Sequence, residues 1–511
     1  MRGFISSVDK LKENANLLLI IYTLAFSLIE RIVVLVSFNA RYFYDETIVT
    51  EISKQPLKKL LDTVLAEPHP PGFYLFLKLF PVDHILATRI SLYAFFFAGI
   101  IAILAYGYKS GVIKRHNMEV GIILFFCMSA FYSVSFSVKQ DIVSLLLFLL
   151  TLFLLLNYRE NRKQKLLTGA ALLILIQFFF GYAYFVYSFG MLLVAVFSAE
   201  KINKWFLRKN WYLLLFGLPI LFYLLFYFPI QFQNNLHRFK WLEDSTNGMV
   251  AWLGANLLSN QVTFAGITDL MVIIFLAILF SAISKRISSV TTFYKDTLLM
   301  FFFMTVVVSY LLGWFRVPRY SIPSFFLAWI IIGNVLRKYL DKKYGYYILV
   351  IVVIWFQTIS GSLLYYGVSR EEKFYTAISD TFNELSQSGK TKIGFLTSHP
   401  NSAFVLKKNF SKEVTLIPIS PVANFNWDLE EIDKKLLLTE GVPLSMPVEE
   451  CMSAIKSKGM DSYLYLFFKS NSYYDRSFTL ITALSTLCDI EKVYEVGGSQ
   501  LIYFNNCQKS Q

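Results

Sequence analysis

The stretch LLLIIYTLAFSLIERIVVLV, residues 17–36, decides the fold class of this chain. Its twenty residues are almost all apolar, and an α-helix of that length spans roughly 30 Å, the thickness of the hydrocarbon core of a bilayer. A second run of the same kind covers residues 346–364. The sequence therefore predicts membrane-spanning helices.

The composition extends this prediction to most of the chain. Of 511 residues, 56% are hydrophobic, 17% are aromatic and 16% are charged, and the mean hydropathy is +0.52. An ordinary soluble domain has about 45–50% apolar and about 25% charged residues. These values exclude a soluble globular protein and a disordered chain. Four cysteines in a chain of this length exclude a disulfide scaffold, and their spacing indicates no structural zinc site.

Apolar windows predict about eleven spans, so the expected fold class is a polytopic α-helical membrane protein. The predicted spans cover residues 16–38, 85–108, 118–137, 142–158, 166–180, 182–198, 211–229, 269–284, 297–315, 320–336 and 346–366. Lysine and arginine concentrate at the N-terminus and in the loops after the even-numbered spans, and loops of this composition lie in the cytoplasm. We therefore expect the N-terminus inside and the C-terminus outside, in the inner (plasma) membrane of a cell.

The sequence predicts two domains. Residues 1–367 form the membrane domain, with one outer loop at 38–84 and another at 229–269, and residues 368–511 form a soluble α/β domain on the outer face. The positive charge belongs to the membrane domain, which argues against a nucleic-acid partner. Apolar residues at helical spacing within 57–65 predict a helix lying in the membrane interface.

The C-terminal domain alternates helix and strand patterns. Helices are predicted near 371–387, 429–439 and 474–487, and strands at 392–396, 413–417 and 462–467. The last element is a predicted β-hairpin over residues 489–504, because Gly497-Gly498 permits the positive φ of a primed turn.

That hairpin register predicts a disulfide. It places Cys488 opposite Cys507, and the outer compartment permits a bond between them. The alternatives are free thiols and a pairing that uses Cys451. Cys127 lies inside a span and is expected to be a small buried hydrophobe.

Two acidic residues lie a few residues after the first span. Asp45 and Glu46 would lie just above the hydrocarbon, where a carboxylate pair offers a general base and a neighbour that orients substrate or metal. The alternative is that Asp45 caps the helix that follows it.

A proline-rich segment precedes an aromatic helix at residues 67–78. The proline after His69 keeps that residue extended, and Pro71 suits the first turn of the helix. A phosphate near Glu67 and His69 would then be favoured by the helix N-terminus. The alternative is an ordinary turn.

Basic residues occupy two predicted outer turns. Lys139 lies near Asp141 between the third and fourth spans, and Arg316 and Arg319 lie between the ninth and tenth. Arginine outside the membrane runs against the usual charge distribution and predicts an anionic ligand. The alternatives are contact with lipid headgroups or a salt bridge to Asp141 or Glu46.

These motifs together carry a family resemblance. The Asp45-Glu46 pair, the His69-Pro-Pro segment, the acidic residue that opens the fourth span and the Arg319-Tyr320-x-x-Pro segment occur in an order typical of the membrane-embedded C-type glycosyltransferases. The chain most resembles the superfamily of protein O-mannosyltransferases and lipid A aminoarabinose transferases, which is glycosyltransferase family 39-like. The resemblance covers residues 16–366.

The resemblance implies roles for these residues. Asp45 would be the catalytic base with Glu46 as its neighbour, His69 would lie in the substrate cavity, and Arg319-Tyr320 would lie near the lipid phosphate. Arg316 and Lys139 are further candidates for the phosphate, and Asp141 and Glu67 are supporting residues.

The chain departs from the family pattern at one motif, and its metal dependence is left open. Many relatives have a basic residue and proline before the acid, where this chain has Lys139-Gln140-Asp141. Some members bind a divalent metal through a carboxylate and a histidine, and Glu67 and His237 are the candidates here. No other cofactor is expected.

The predicted function is transfer of a sugar from a polyprenyl-phosphate donor, by inverting single displacement, to an acceptor protein, a lipid A-like lipid or a glycan. Membrane lipids would surround the spans. The alternatives are a polyprenyl-linked glycan ligase or polymerase, and a lipid or solute transporter. A transporter predicts ionisable residues near mid-span, whereas the predicted spans are nearly free of charge.

Overall fold

A computed structural model gives the fold. It describes residues 2–37, 44–64, 69–128, 131, 138–199, 211, 213–230, 265–286, 296–312, 318–340, 345–387, 393–397, 415–416, 462–468, 484–496 and 499–507. The chain divides into two compact units. The first unit comprises Met1–Ser37, His69–Pro229 and Leu242–Tyr365, and the described residues of Phe38–Pro68, Ile230–Trp241 and Tyr366–Gln511 belong to the second.

Helices make up most of the described chain. They are α1 (Arg2–Ser37), α2 (Tyr44–Lys54), α3 (Leu57–Val64), α4 (Gly72–Leu77), α5 (Ile85–Lys109), α6 (Val112–Arg115), α7 (Glu119–Cys127), α8 (Asp141–Asn161), α9 (Gln164–Phe180), α10 (Tyr182–Ala199), α11 (Leu213–Phe226), α12 (Ala265–Arg286), α13 (Thr297–Leu311), α14 (Ile322–Leu340) and α15 (Gly345–Gln387). A 3-10 turn, Pro318–Ser321, precedes α14.

The membrane character of the chain is supported by these helices. Within the described residues, four stretches are long and apolar enough to cross a bilayer, namely Ala15–Val36, Ile85–Lys109, Asp141–Asn161 and Gly345–Ser362. Six shorter apolar helices, each of 10–17 residues, accompany them. A helix also overlaps each of the eleven predicted spans.

Two predicted spans differ from the observed helices. The third ends as a helix at Cys127, because Met128 has an extended backbone with ψ 150°. The eleventh was expected to end at residue 366 before a separate helix, but α15 continues to Gln387. No proline interrupts that helix, and Gly367 alone is not enough to end it, since a glycine costs a helix only about 1 kcal/mol.

The core of the first unit lies along α8. Most of its side chains are buried, and α5, α9 and α10 pack against it.

At another position, α7 and α14 approach until their backbones touch. A Cβ on Gly333 would lie 2.3 Å from the backbone nitrogen of Gly121, so only glycine fits at this crossing. Small residues permit such close packing between membrane helices.

The second unit contains α2, α3, the end of α15 and a five-stranded mixed sheet. The strands are β1 (Ile393–Thr397), β2 (Thr415–Leu416), β3 (Ser462–Phe468), β4 (Asp489–Val496) and β5 (Ser499–Asn505), in the order β2-β1-β3-β5-β4. β1 runs parallel to β2 and β3, and β5 runs antiparallel to β3 and β4. Predicted strands therefore occur at all three expected places, although β2 is only two residues long. The predicted helix at 429–439 and most of that at 474–487 lie outside the described residues.

The hairpin has the predicted register over its first part. Val496 pairs with Ser499 and Lys492 pairs with Tyr503, and a bulge between Ile490 and Lys492 then shifts the remaining pairs by one residue. Beyond the bulge, Cys488 and Cys507 are joined in a disulfide. Cys127, in the first unit, is a buried free thiol.

Candidate functional site

His69 meets Gln140 at one end of the helices of the first unit. Nδ1 of His69 lies 3.0 Å from the side-chain amide nitrogen of Gln140, across 71 residues of sequence. An amide nitrogen only donates hydrogen bonds, so Nδ1 accepts and a neutral imidazole carries its proton on Nε2. The His-Pro-Pro segment and the turn before α8 therefore form one cluster.

Close packing fixes the position of this His69 segment. A Cβ on Gly72 would lie 2.3 Å from the carbonyl oxygen of Phe179, so the start of α4 rests directly on the end of α9. Phe76 of α4 also packs against Phe180, with ring centroids 5.9 Å apart. However, α4 is only six residues long, so the helix dipole at its N-terminus would stabilise a phosphate less than the sequence suggested.

The predicted residues Lys139 and Asp141 flank Gln140. Lys139 is half-buried, whereas Asp141 is 2% exposed and is the first residue of α8. A carboxylate at that position is stabilised by the partial positive charge of the helix N-terminus. Asp141 thus lies at the same end of the unit as His69.

The turn predicted to bind phosphate is held by a chain of buried hydroxyl groups. The Tyr187 hydroxyl lies 2.5 Å from Oγ of Ser309, which lies 3.1 Å from Oγ of Ser324, and Ser321 in the 3-10 turn also bonds to Tyr187. Tyr320, next to Ser321, is half-buried. Arg319 belongs to the same turn, but its side chain and all of Arg316 lie outside the described part of the chain.

Asp45 and Glu46 both lie in the first turn of α2, in the second unit. Glu46 is fully buried, and its carbonyl oxygen accepts a hydrogen bond from the Thr50 hydroxyl. Asp45 is the second residue of the helix rather than its N-cap, and the helix dipole favours a carboxylate there. The side chain of Asp45 is not among those described.

Residues proposed for a metal are outside the described part of the chain. Neither Glu67 nor His237 is described. Among the residues that are, no group of three or more histidine, cysteine, aspartate or glutamate side chains is close enough to hold a metal ion.

Two arginines inside apolar helices were not predicted as functional residues. Arg31 in α1 is fully buried and donates to the carbonyl oxygen of Ser27, and its guanidinium carbon lies 5.1 Å from the ring centroid of Phe131. Arg89 in α5 is 2% exposed. The expectation of nearly charge-free spans was therefore incomplete. A charged residue inside an apolar run was the available signal, because such residues are costly in a membrane and are often functional.

Charged groups also gather at the opposite end of the first unit. Arg115 forms a 2.7 Å salt bridge with Glu160, and Arg337 donates to the side chain of Asn117. Arg115 ends α6 and Asn117 follows it, while Glu160 and Arg337 lie in the last turns of α8 and α14. The His69 cluster instead lies at the start of α8 and the end of α9. The two ends of the unit are therefore chemically different.

Comparison with known proteins gives no further assignment. No protein-family model matches this sequence, and no curated protein matches it. The resemblance therefore rests on the sequence motifs quoted above.

Proposed function

We propose that this chain is an integral membrane glycosyltransferase that moves a sugar from a polyprenyl-phosphate donor to an acceptor on the outer face of the membrane. The acceptor class is a protein, a lipid A-like lipid or a glycan. The observation that carries the proposal is the contact between His69 and Gln140 beside Lys139 and Asp141. It joins two of the motifs on which the family resemblance rests.

The proposal includes eleven crossings of the plasma membrane, with the N-terminus inside. Support comes from the basic residues Arg115 and Arg337, which lie at the end of the first unit opposite His69, because cytoplasmic loops are rich in such residues. The bond between Cys488 and Cys507 supports an outer location for the C-terminal unit, since disulfides persist in oxidising compartments.

The proposed chemistry needs a base but no general acid. The acceptor oxygen or nitrogen attacks the anomeric carbon as the bond from that carbon to the phosphate oxygen breaks, and Asp45 takes the acceptor proton. Polyprenyl phosphate leaves with its negative charge, and Arg319 is assigned to stabilise that charge, with Arg316 and Lys139 as further candidates. A single displacement inverts the anomeric configuration.

The test is sugar transfer in proteoliposomes. Radiolabelled polyprenyl-phosphate sugars are supplied to the wild type and to Asp45→Asn, which keeps the shape of the side chain and removes the base. We expect transfer by the wild type and a fall of about a hundredfold or more in the variant. Asp62→Asn, an exposed carboxylate on the neighbouring α3, is the matched control and should transfer at the wild-type rate.

Two outcomes would contradict the proposal at different levels. Equal transfer by wild type and Asp45→Asn would remove Asp45 as the base but leave the enzyme class. A wild type that transfers no sugar from any donor would refute the class itself.

A transporter is the second candidate, because Arg31 and Arg89 are buried within helices and intramembrane charges often mark transport pathways. It predicts that a labelled lipid crosses the bilayer chemically unchanged when no acceptor is present. A glycosyltransferase predicts a new glycosidic product instead.

A further inference from the structure

A buried polar pair lies below the His69 cluster. Ser144 is one helical turn after Gln140 in α8, and Gln177 is one turn before the end of α9. Both side chains are fully buried, and the Gln177 amide nitrogen donates to the backbone carbonyl of Ser144 at 3.0 Å. The two helices are thus joined close to His69.

This pair has unused hydrogen-bonding capacity. Among the described residues, neither Oγ of Ser144 nor Oε1 of Gln177 has a hydrogen-bond partner. A buried polar atom without a partner is destabilising, so two such atoms on neighbouring helices require an explanation. A bound polar ligand would supply one.

Gly181 marks the position of the Ser144 hydroxyl. A Cβ at Gly181 would lie 2.9 Å from Oγ of Ser144 and 4.0 Å from Cγ of Gln140. The Ser144 hydroxyl and the Gln140 side chain therefore face the same junction, between α9 and α10. Residue 181 is glycine and therefore places no side chain of its own at this junction.

The chemistry of the pair favours hydroxyl groups over an anion. Gln177 uses an N–H on the Ser144 carbonyl, so its oxygen is an acceptor, while the Ser144 hydroxyl both donates and accepts. Two neighbouring sugar hydroxyls match that pattern. An ionised phosphate does not, because its oxygens only accept hydrogen bonds and it has no hydrogen to donate to the Gln177 oxygen.

We propose that Ser144 and Gln177 form the subsite that recognises hydroxyl groups of the donor sugar, next to Gln140 and His69. This inference rests on the proposed function and assigns sugar selectivity to this end of α8 and α9. The phosphate of the donor is assigned to the basic residues, and the sugar ring to the neutral pair.

The test compares donors and variants in one matrix. The donors are polyprenyl-phosphate glucose, mannose and galactose, with the monodeoxy analogues of whichever sugar the wild type transfers. The variants are Ser144→Ala and Gln177→Met, each of which removes the polar atom and keeps similar volume. Thr151→Val is the matched control, because Thr151 is also on α8, fully buried and without a partner for its hydroxyl in the described residues, but two turns deeper.

We expect the wild type to reject one deoxy donor by about tenfold or more in kcat/KM, the value for one lost hydrogen bond. Ser144→Ala or Gln177→Met should lower the rate with the parent sugar and reduce that rejection about tenfold. Thr151→Val should reject the deoxy donor as the wild type does. A purely structural role would not change discrimination between donors.

Several outcomes would overturn the subsite. If the wild type accepts every deoxy analogue as well as the parent sugar, the pair recognises no hydroxyl, and this result requires no folded variant. If both variants keep wild-type discrimination, the pair holds a structural water or packs the helices. A wild type that transfers no sugar at all refutes the proposed function rather than the subsite alone.

Discussion

The crossing of α7 and α14 gives the sharpest stability prediction. A Cβ on Gly333 would lie 2.3 Å from the nitrogen and 2.7 Å from the Cα of Gly121, whereas ordinary contact begins at 3.4 Å. Gly333→Ala therefore forces the two helices apart by about 1 Å, since backbone atoms cannot rotate away as a side chain can. Overpacking of this kind costs about 1–3 kcal/mol, and a backbone clash belongs at the upper end. Alanine returns about 1 kcal/mol through its helix propensity, so the expected net loss is about 2 kcal/mol.

Gly217→Ala is the matched control for that prediction. Gly217 is also inside an apolar helix, α11, but a Cβ there meets nothing within 4 Å. This variant should gain up to about 1 kcal/mol from helix propensity alone. The two variants should therefore differ by about 3 kcal/mol in opposite directions.

Thermal unfolding of the purified protein in one detergent, followed by tryptophan fluorescence, measures the difference; the backbone of Trp329 is part of this crossing. Gly333→Ala should lower Tm, and Gly217→Ala should leave it unchanged or raise it. Adding Gly121→Ala to Gly333→Ala should cost less than the sum of the two, because both methyl groups open the same contact. The reasoning is refuted if Gly333→Ala unfolds at or above the Tm of Gly217→Ala.

Two further predictions concern the C-terminal unit and the hydroxyl chain. The Cys488–Cys507 bond closes a loop with a sequence separation of 19. Reducing it should destabilise the second unit by about 3 kcal/mol and speed its proteolysis. A Cys488→Ser/Cys507→Ser double variant should be digested at the same rate with and without reductant. Unchanged proteolysis of the reduced wild type would contradict this. Tyr187→Phe removes a buried hydroxyl bonded to Ser309 and should lower stability by about 1 kcal/mol, whereas Tyr310→Phe, at a side chain 76% exposed, should not. Equal Tm values for the two phenylalanine variants would show that the hydroxyl chain contributes nothing.

Local signals in the sequence predicted the individual elements. Long apolar runs predicted where helices occur, because a helix in a bilayer must satisfy its own backbone hydrogen bonds and expose apolar side chains. The Gly497-Gly498 turn predicted the hairpin, because the turn fixes the pairing of the residues that follow it. The bulge near Ile490 was not predicted, since no local pattern marks it.

Which distant residues meet depends on how the helices pack. Apolar periodicity assigns a residue to a helix but does not select the neighbouring helix, so the contact of His69 with Gln140 and that of Gly121 with Gly333 followed only from packing. The same holds for Ser144 and Gln177, which are single polar residues in apolar runs. Only the packing of α8 against α9 brings them into contact. The helices and the hairpin could therefore be predicted from the sequence, because they depend on neighbouring residues. The polar clusters depend on how those helices pack, and that is a property of the whole unit.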